Sequence, residues 1–158
     1  MIRHAGLVAW RFGGSWRGAL IEGPSGSGKS DLALRAVGHG FRLAADDRTL
    51  VFASRGRLFG RAPGILSGLM EVRGLGVLRE PAVAFAEIVL VVRCAPDPRA
   101  VSRLPDPAGE VILGVWVPLA ELWPFEPSAP MKLSRAVEYL GAHSQQGYQA
   151  RFARPALR

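Results

Sequence analysis

The sequence holds a single cysteine, Cys94, in 158 residues. No disulfide can close within the chain, which agrees with a reducing compartment. Long apolar runs are missing as well. The longest candidate, Ala82–Val92, is interrupted by Glu87 and falls short of the roughly 18–20 residues of a membrane span. The first residues lack the long apolar core of a signal peptide. The expectation is a cytoplasmic protein with no membrane contact. Internal repeats and low-complexity segments are absent, and so are compact basic runs: the arginines are scattered. Without an aromatic-basic platform, nucleic acid is not an expected partner.

What is present describes a folded chain. Hydrophobic residues make up 49% and charged residues 21%, a balance that excludes intrinsic disorder and fits one domain with a sizeable core. The formal charge of +7, carried mostly by arginine, suits an anionic partner such as a nucleotide or an acidic protein. A genomic preference for arginine would produce the same balance.

Periodicity sketches the elements. Leu7–Phe12 reads as a short edge strand and Ala19–Glu22 as a strand entering a glycine turn. Lys29–Val37 carries Leu32, Ala33, Ala36 and Val37 at helical spacing, and Gly38 and Gly40 end it. Phe41–Ala45 reads as a strand ending at Asp46-Asp47. Leu50–Ala53 and Arg57–Phe59 form a hairpin around Ser54-Arg55-Gly56. The stretch from Gly60 to Glu80 reads as irregular. Glu87–Val92 and Glu110–Val117 read as strands, Pro118–Pro130 as a proline-rich connection, and Lys132–His143 as a helix. A domain over residues 1–143 and a flexible tail over 144–158 are expected.

The strongest signal is Gly23-Pro24-Ser25-Gly26-Ser27-Gly28-Lys29-Ser30, which fits G-x-x-x-x-G-K-[ST] without a mismatch. Glycines let successive backbone N–H groups curl around phosphate oxygens. Lys29 is spaced to reach the β- and γ-phosphates, and the Ser30 hydroxyl to ligate Mg²⁺. The helix beginning near Lys29 points its positive end at the phosphates. A nucleoside triphosphate is implied, but not the reaction it serves.

Two further groups of residues bear on that reaction. Asp46 and Asp47 close a strand sixteen and seventeen positions beyond Ser30. Successive aspartates point in different directions, so one can hold a metal while the other takes a proton from an attacking hydroxyl. A solvated turn is the alternative. In Glu71-Val72-Arg73-Gly74-Leu75-Gly76, Glu71 and Arg73 can face the same side of an extended segment. A carboxylate beside a guanidinium suits a metal or a phosphoryl group; a surface ion pair beside a glycine hinge is the alternative.

These blocks, in this order, resemble the catalytic domain of the HPr kinase/phosphorylase family. The resemblance rests on Gly23–Ser30, on Gly40-Phe41-Arg42-Leu43-Ala44-Ala45-Asp46-Asp47, and on Gly60-Arg61-Ala62-Pro63 followed by Leu69–Gly76. Pro130–Arg135 and His4 add weaker support. It implies an α/β P-loop kinase core related to phosphoenolpyruvate carboxykinase, a mixed sheet with flanking helices. It implies an enzyme that uses ATP and Mg²⁺ to phosphorylate a serine of the phosphocarrier HPr or an HPr-like carrier, in regulation of carbon metabolism by the phosphotransferase system. A reverse phosphorolysis, in which inorganic phosphate attacks phosphoserine and releases pyrophosphate, is also implied. The resemblance assigns proton transfer to Asp46 and places Ser30, Asp47 and Glu71 near Mg²⁺. It places Arg73 and Arg135 near phosphoryl oxygens and His4 beside the aspartates. From the residues alone, Arg135 fits a solvated helix face equally well, and His4 an exposed histidine. The resemblance is to a short form without the family's N-terminal domain, and the homo-oligomer it implies is a hexamer. Two other readings stay open: a kinase for another acceptor, and a nucleotide sensor without efficient transfer.

Overall fold

The computed structural model describes residues 1–141. The chain opens with β1 (Ile2–Arg3), β2 (Gly6–Phe12) and β3 (Ser15–Glu22), and α1 (Lys29–Gly38) follows the glycine turn. Next come β4 (Arg42–Ala45), the hairpin of β5 (Thr49–Ser54) and β6 (Arg57–Arg61), and a second hairpin of β7 (Leu69–Val72) and β8 (Gly76–Arg79). β9 (Ala86–Cys94), the hairpin of β10 (Ala108–Ile112) and β11 (Val115–Leu122), and α2 (Ala129–Tyr139) complete the described part.

A mixed sheet runs β1-β5-β6-β9-β3-β2-β4 and forks at β9. Ala86 and Glu87 of β9 face β6, whereas Val91–Cys94 face β11. β3, β9 and β11 are parallel. β2 is antiparallel to both β3 and β4, so β4 runs the same way as β3. Strands β3, β4, β9 and β11 therefore all end at one edge of the sheet, where parallel strands conventionally place a ligand.

Alternation along the central strands builds a core on each face. Val8, Ile21 and Val92 pack with Leu32, Ala33, Ala36 and Val37 of α1 and with Leu133 and Val137 of α2. Their strand neighbours Leu7, Leu20 and Val91 pack on the other side with Val51, Leu58, Ile112 and Val117. Each helix buries one apolar stripe, which explains why the spacing in α1 was readable. No helix among the described residues is long and apolar enough to cross a membrane.

Four segments differ from the sequence expectation. β2 is not an edge strand, since β3 and β4 pair with both its sides. Only Gly6–Ala9 is buried, and the exposed Arg11 and Phe12 give the strand its edge-like composition. The stretch from Gly60 to Glu80 contains the β7–β8 hairpin, closed by the Leu75 N–H donating to Val72 O at 2.9 Å. Glu110–Val117 is not one strand but a hairpin, turned at Leu113 and Gly114 with φ 49° and 79°. Such a tight turn takes only two residues, too few to interrupt the run of β-branched side chains. The segment Pro118–Pro130 holds most of β11 and the start of α2. Pro130 lies in the first turn of α2, where a missing N–H costs nothing. His143 and the tail from Ser144 lie outside the described residues.

Candidate active site

The glycine turn carries β3 directly into α1. Gly26 and Gly28 sit at φ 76° and 97°, backbone that a Cβ would strain. A Cβ at Gly23 would stand 2.4 Å from Ser27 Oγ. The turn is closed by Ser27 N–H donating to Pro24 O at 3.1 Å and leads into Leu32 N–H donating to Gly28 O at 2.9 Å. Lys29 is 6% exposed. Its Nζ donates to Gly23 O at 2.9 Å and Pro24 O at 3.0 Å. No ion pair reaches this ammonium among the described residues. A buried charge held by neutral carbonyls alone suits an anion arriving at the loop, and the N-terminus of α1 adds its dipole from the same side. Cys94, at the end of β9, lies beneath the turn. Burial pushes its thiol above the usual value, while the Ser27 hydroxyl and the Lys29 charge act in the other direction.

The acidic pair reaches the same edge because β4 parallels β3. Leu7 pairs with Leu20 on one side and with Ala45 on the other, so Asp46 emerges beside the end of β3. The Ser30 hydroxyl donates to Asp46 Oδ1 at 3.2 Å, and the Glu71 N–H donates to Asp46 Oδ2 at 3.3 Å. Asp46 is therefore clamped between the glycine turn and β7. Burial raises its pKa above the ordinary 3.8, and the charges of Asp47 and Glu71 push the same way. The two hydrogen bonds oppose the rise without cancelling it. Asp47 takes φ 58°, and its Oδ1 lies 3.3 Å from His4 Nε2. Arg73 stands exposed in the turn after β7, separated from Glu71 by the buried Val72.

His4, Lys29, Ser30, Asp46, Asp47 and Glu71 are thus gathered at one edge, and Arg73 follows two residues after Glu71. Arg135 is not among them. Its guanidinium pairs with Glu138 at 3.1 Å. Glu138 accepts the Trp10 indole N–H at 3.0 Å, and Trp10 stacks on His39 at the far end of α1. Arg135 lies on the exposed face of α2.

Two features of the site carried no sequence signal. Arg3 pairs with Glu22 at 3.3 Å and Glu110 at 3.2 Å, and Arg93 pairs with Glu110 at 3.1 Å. These residues tie the strand preceding His4 to the strand that enters the glycine turn. Glu22 is itself raised in pKa, first by burial and then by the nearby Glu110, against the pull of Arg3. The second feature is the loop after β11. Arg35 donates from Nη2 to Pro124 O and from Nη1 to Glu126 O at 3.2 Å, holding Pro124 and Phe125 against Gly28. A cleft of about 630 Å³ lined by Trp16, Phe59 and Phe85 opens at the other end of β3 and β9 and takes no part in this constellation.

Comparison with known proteins meets this geometry. A match to the HPr Serine kinase C-terminal domain covers residues 14–84. Over that span the chain is similar to the HPr serine kinase C-terminal domain family. The span takes in the glycine turn, both aspartates, Glu71 and Arg73. The chain is 42% identical to an HPr kinase/phosphorylase from Clostridium tetani over 76 residues, 48% of this chain and 25% of that protein. It is 53% identical to one from Limosilactobacillus reuteri over 62 residues, 39% of this chain and 19% of that protein. The chain thus spans about a quarter or less of the curated relatives it matches. In three dimensions it is similar to the Hpr(Ser) kinase/phosphatase from Coxiella burnetii. The TM-score is 0.72 at 25% identity, over 87% of this chain and 88% of that one.

The residues fit a nucleotide and a divalent cation in type. The turn supplies backbone donors and one ammonium. Ser30, Asp46, Asp47 and Glu71 supply oxygens. Among the described residues, no three His, Cys, Asp or Glu side chains converge tightly enough to hold a metal on their own. Mg²⁺ is held by one or two carboxylates together with phosphate oxygens and water, and the site offers that arrangement.

Proposed function

We propose that this chain is an ATP- and Mg²⁺-dependent serine kinase acting on HPr or an HPr-like carrier in the cytoplasm. The observation that carries the reading is the clamp on Asp46: a raised carboxylate, hydrogen-bonded to the serine that follows the phosphate-loop lysine. The names of the relatives support the carrier as acceptor.

Bound ATP would supply the γ-phosphoryl group, with Mg²⁺ neutralising charge on the phosphate oxygens. Lys29 and the turn's N–H groups would hold the phosphates, and Ser30, Asp47 and Glu71 would hold the cation. Asp46 would accept the proton from the carrier serine Oγ as that oxygen bonds to the γ-phosphorus, the bond from that phosphorus to the β–γ bridging oxygen breaks, and ADP leaves. Its raised pKa brings it nearer to working pH as a base. Arg73 would meet the charge of the moving phosphoryl group, and His4 would fix the orientation of Asp47. In the reverse direction inorganic phosphate would displace the serine oxygen, protonated Asp46 would return the proton, and pyrophosphate would leave.

The test incubates the chain with Mg²⁺, γ-labelled ATP and the host's HPr-like carriers. The expected result is label on a carrier serine, released as pyrophosphate when inorganic phosphate is added. Asp46→Asn should keep ATP affinity within a few-fold and lose about 10²–10⁴-fold in transfer. ATP binding without label on any carrier would favour the sensor reading. Failure to bind ATP would end the kinase reading altogether.

A further inference from the structure

We infer that the ring of Phe125 is the platform on which the base of the bound nucleoside triphosphate stacks. The inference rests on the nucleotide reading above and concerns a part of the ligand that the glycine turn does not touch. β11 runs parallel to β9, and β9 to β3, so the loop after β11 leaves the sheet at the same edge as the glycine turn. It then crosses back over that turn. A Cβ built on Gly28 would lie 2.8 Å from Phe125 Cζ and 2.9 Å from Pro124 Cγ. The aromatic edge therefore borders the cradle directly.

The loop is anchored on both sides of Phe125. Arg35 of α1 donates to the carbonyls of Pro124 and Glu126, and Glu126 pairs with Lys132 at 2.7 Å. Trp123 meets the Phe125 ring edge-on, with centroids 6.4 Å apart and planes at 72°. Yet Phe125 stays 52% exposed. A large apolar ring fixed from both flanks and left half in water is a surface prepared for a flat ligand. The cradle's N–H groups take the α- and β-phosphates, so ribose and base leave it by the first turn of α1. Gly28, the residue that caps α1, lies against Phe125. Stacking asks only for a π-face, so purine identity is read weakly.

Calorimetry with Mg·ATP, Mg·GTP and Mg·tripolyphosphate separates base from phosphate. The intact chain should bind ATP and GTP within a few-fold of each other and tripolyphosphate about tenfold more weakly. Phe125→Ala should weaken ATP about 5- to 100-fold and leave tripolyphosphate within about twofold. Phe125→Leu, which keeps an apolar contact against Gly28 but loses the π-face, should show the same split, and Phe125→Trp should retain ATP. Equal loss of both ligands in Phe125→Leu would overturn the inference, because the ring would then merely prop the turn. Unchanged ATP affinity in Phe125→Ala, or equal affinity of the intact chain for ATP and tripolyphosphate, would overturn it too. Binding of neither ligand by the intact chain would instead bring down the nucleotide reading, and this inference with it.

Discussion

The Ser30 hydroxyl donates to Asp46 Oδ1 across 3.2 Å, joining the first turn of α1 to the end of β4. The contact links the residue proposed to hold a cation to the residue proposed to take a proton. It lowers the Asp46 pKa, while burial, the larger effect, raises it. If Asp46 is the base, the acid limb of the kcat profile lies above 3.8, the ordinary aspartate value. Ser30→Ala should move that limb further up, because the hydrogen bond that favours the carboxylate is gone. A pH–rate series on both proteins checks this, and an acid limb that moves down would contradict it.

The same raised pKa fixes the sign of a stability effect. A carboxyl that holds its proton more tightly when folded contributes stability at low pH. That contribution declines as pH rises from the unfolded value through the folded one. Asp46→Asn cannot titrate, so it should gain on the parent as pH rises above about 3.8. Urea denaturation of both proteins from acidic to neutral pH measures the difference. A difference that does not change with pH would mean the carboxyl is not raised.

The two arginines assigned to the phosphoryl group should separate. Arg73→Ala removes a cation two residues after Glu71 and should lower transfer about 10²–10³-fold. Arg135→Ala disturbs only the exposed pair with Glu138 and should leave transfer within about twofold. Steady-state kinetics on the HPr-like carrier decides, and a large loss in Arg135→Ala would bring that residue back into the site.

Thr49 ties the segment bearing His4 to β5. It is fully buried, and its Oγ1 donates to Ala5 O at 2.8 Å. Thr49→Val keeps the shape but strands a buried carbonyl, at a cost of about 1–3 kcal/mol. A lowered urea midpoint with an unchanged slope is the expected result.

Local chemistry made half of the site readable. The glycine turn, Lys29 and Ser30 are consecutive, and their spacing encodes a backbone shape that phosphate requires. The alternation of Glu71, Val72 and Arg73 likewise announced one exposed side and one buried side. The fold was less legible where one signal covered two structures. The β10–β11 hairpin turns on Leu113 and Gly114 alone, and its two strands read as one. β2 looked like an edge because its exposed end holds the large polar and aromatic residues, while pairing on both sides is a property of β3 and β4.

The sequence alone determined the glycine turn and where α1 begins, because both depend on neighbours within a few positions along the chain. Only tertiary structure decided which distant groups join them. Parallel β3 and β4 bring Asp46 to Ser30, and the loop after β11 brings Phe125 to Gly28. Arg3 reaches Glu110 across 107 positions, and Arg135 pairs with Glu138 on α2. Strand order and direction, which local spacing does not encode, set the long-range contacts.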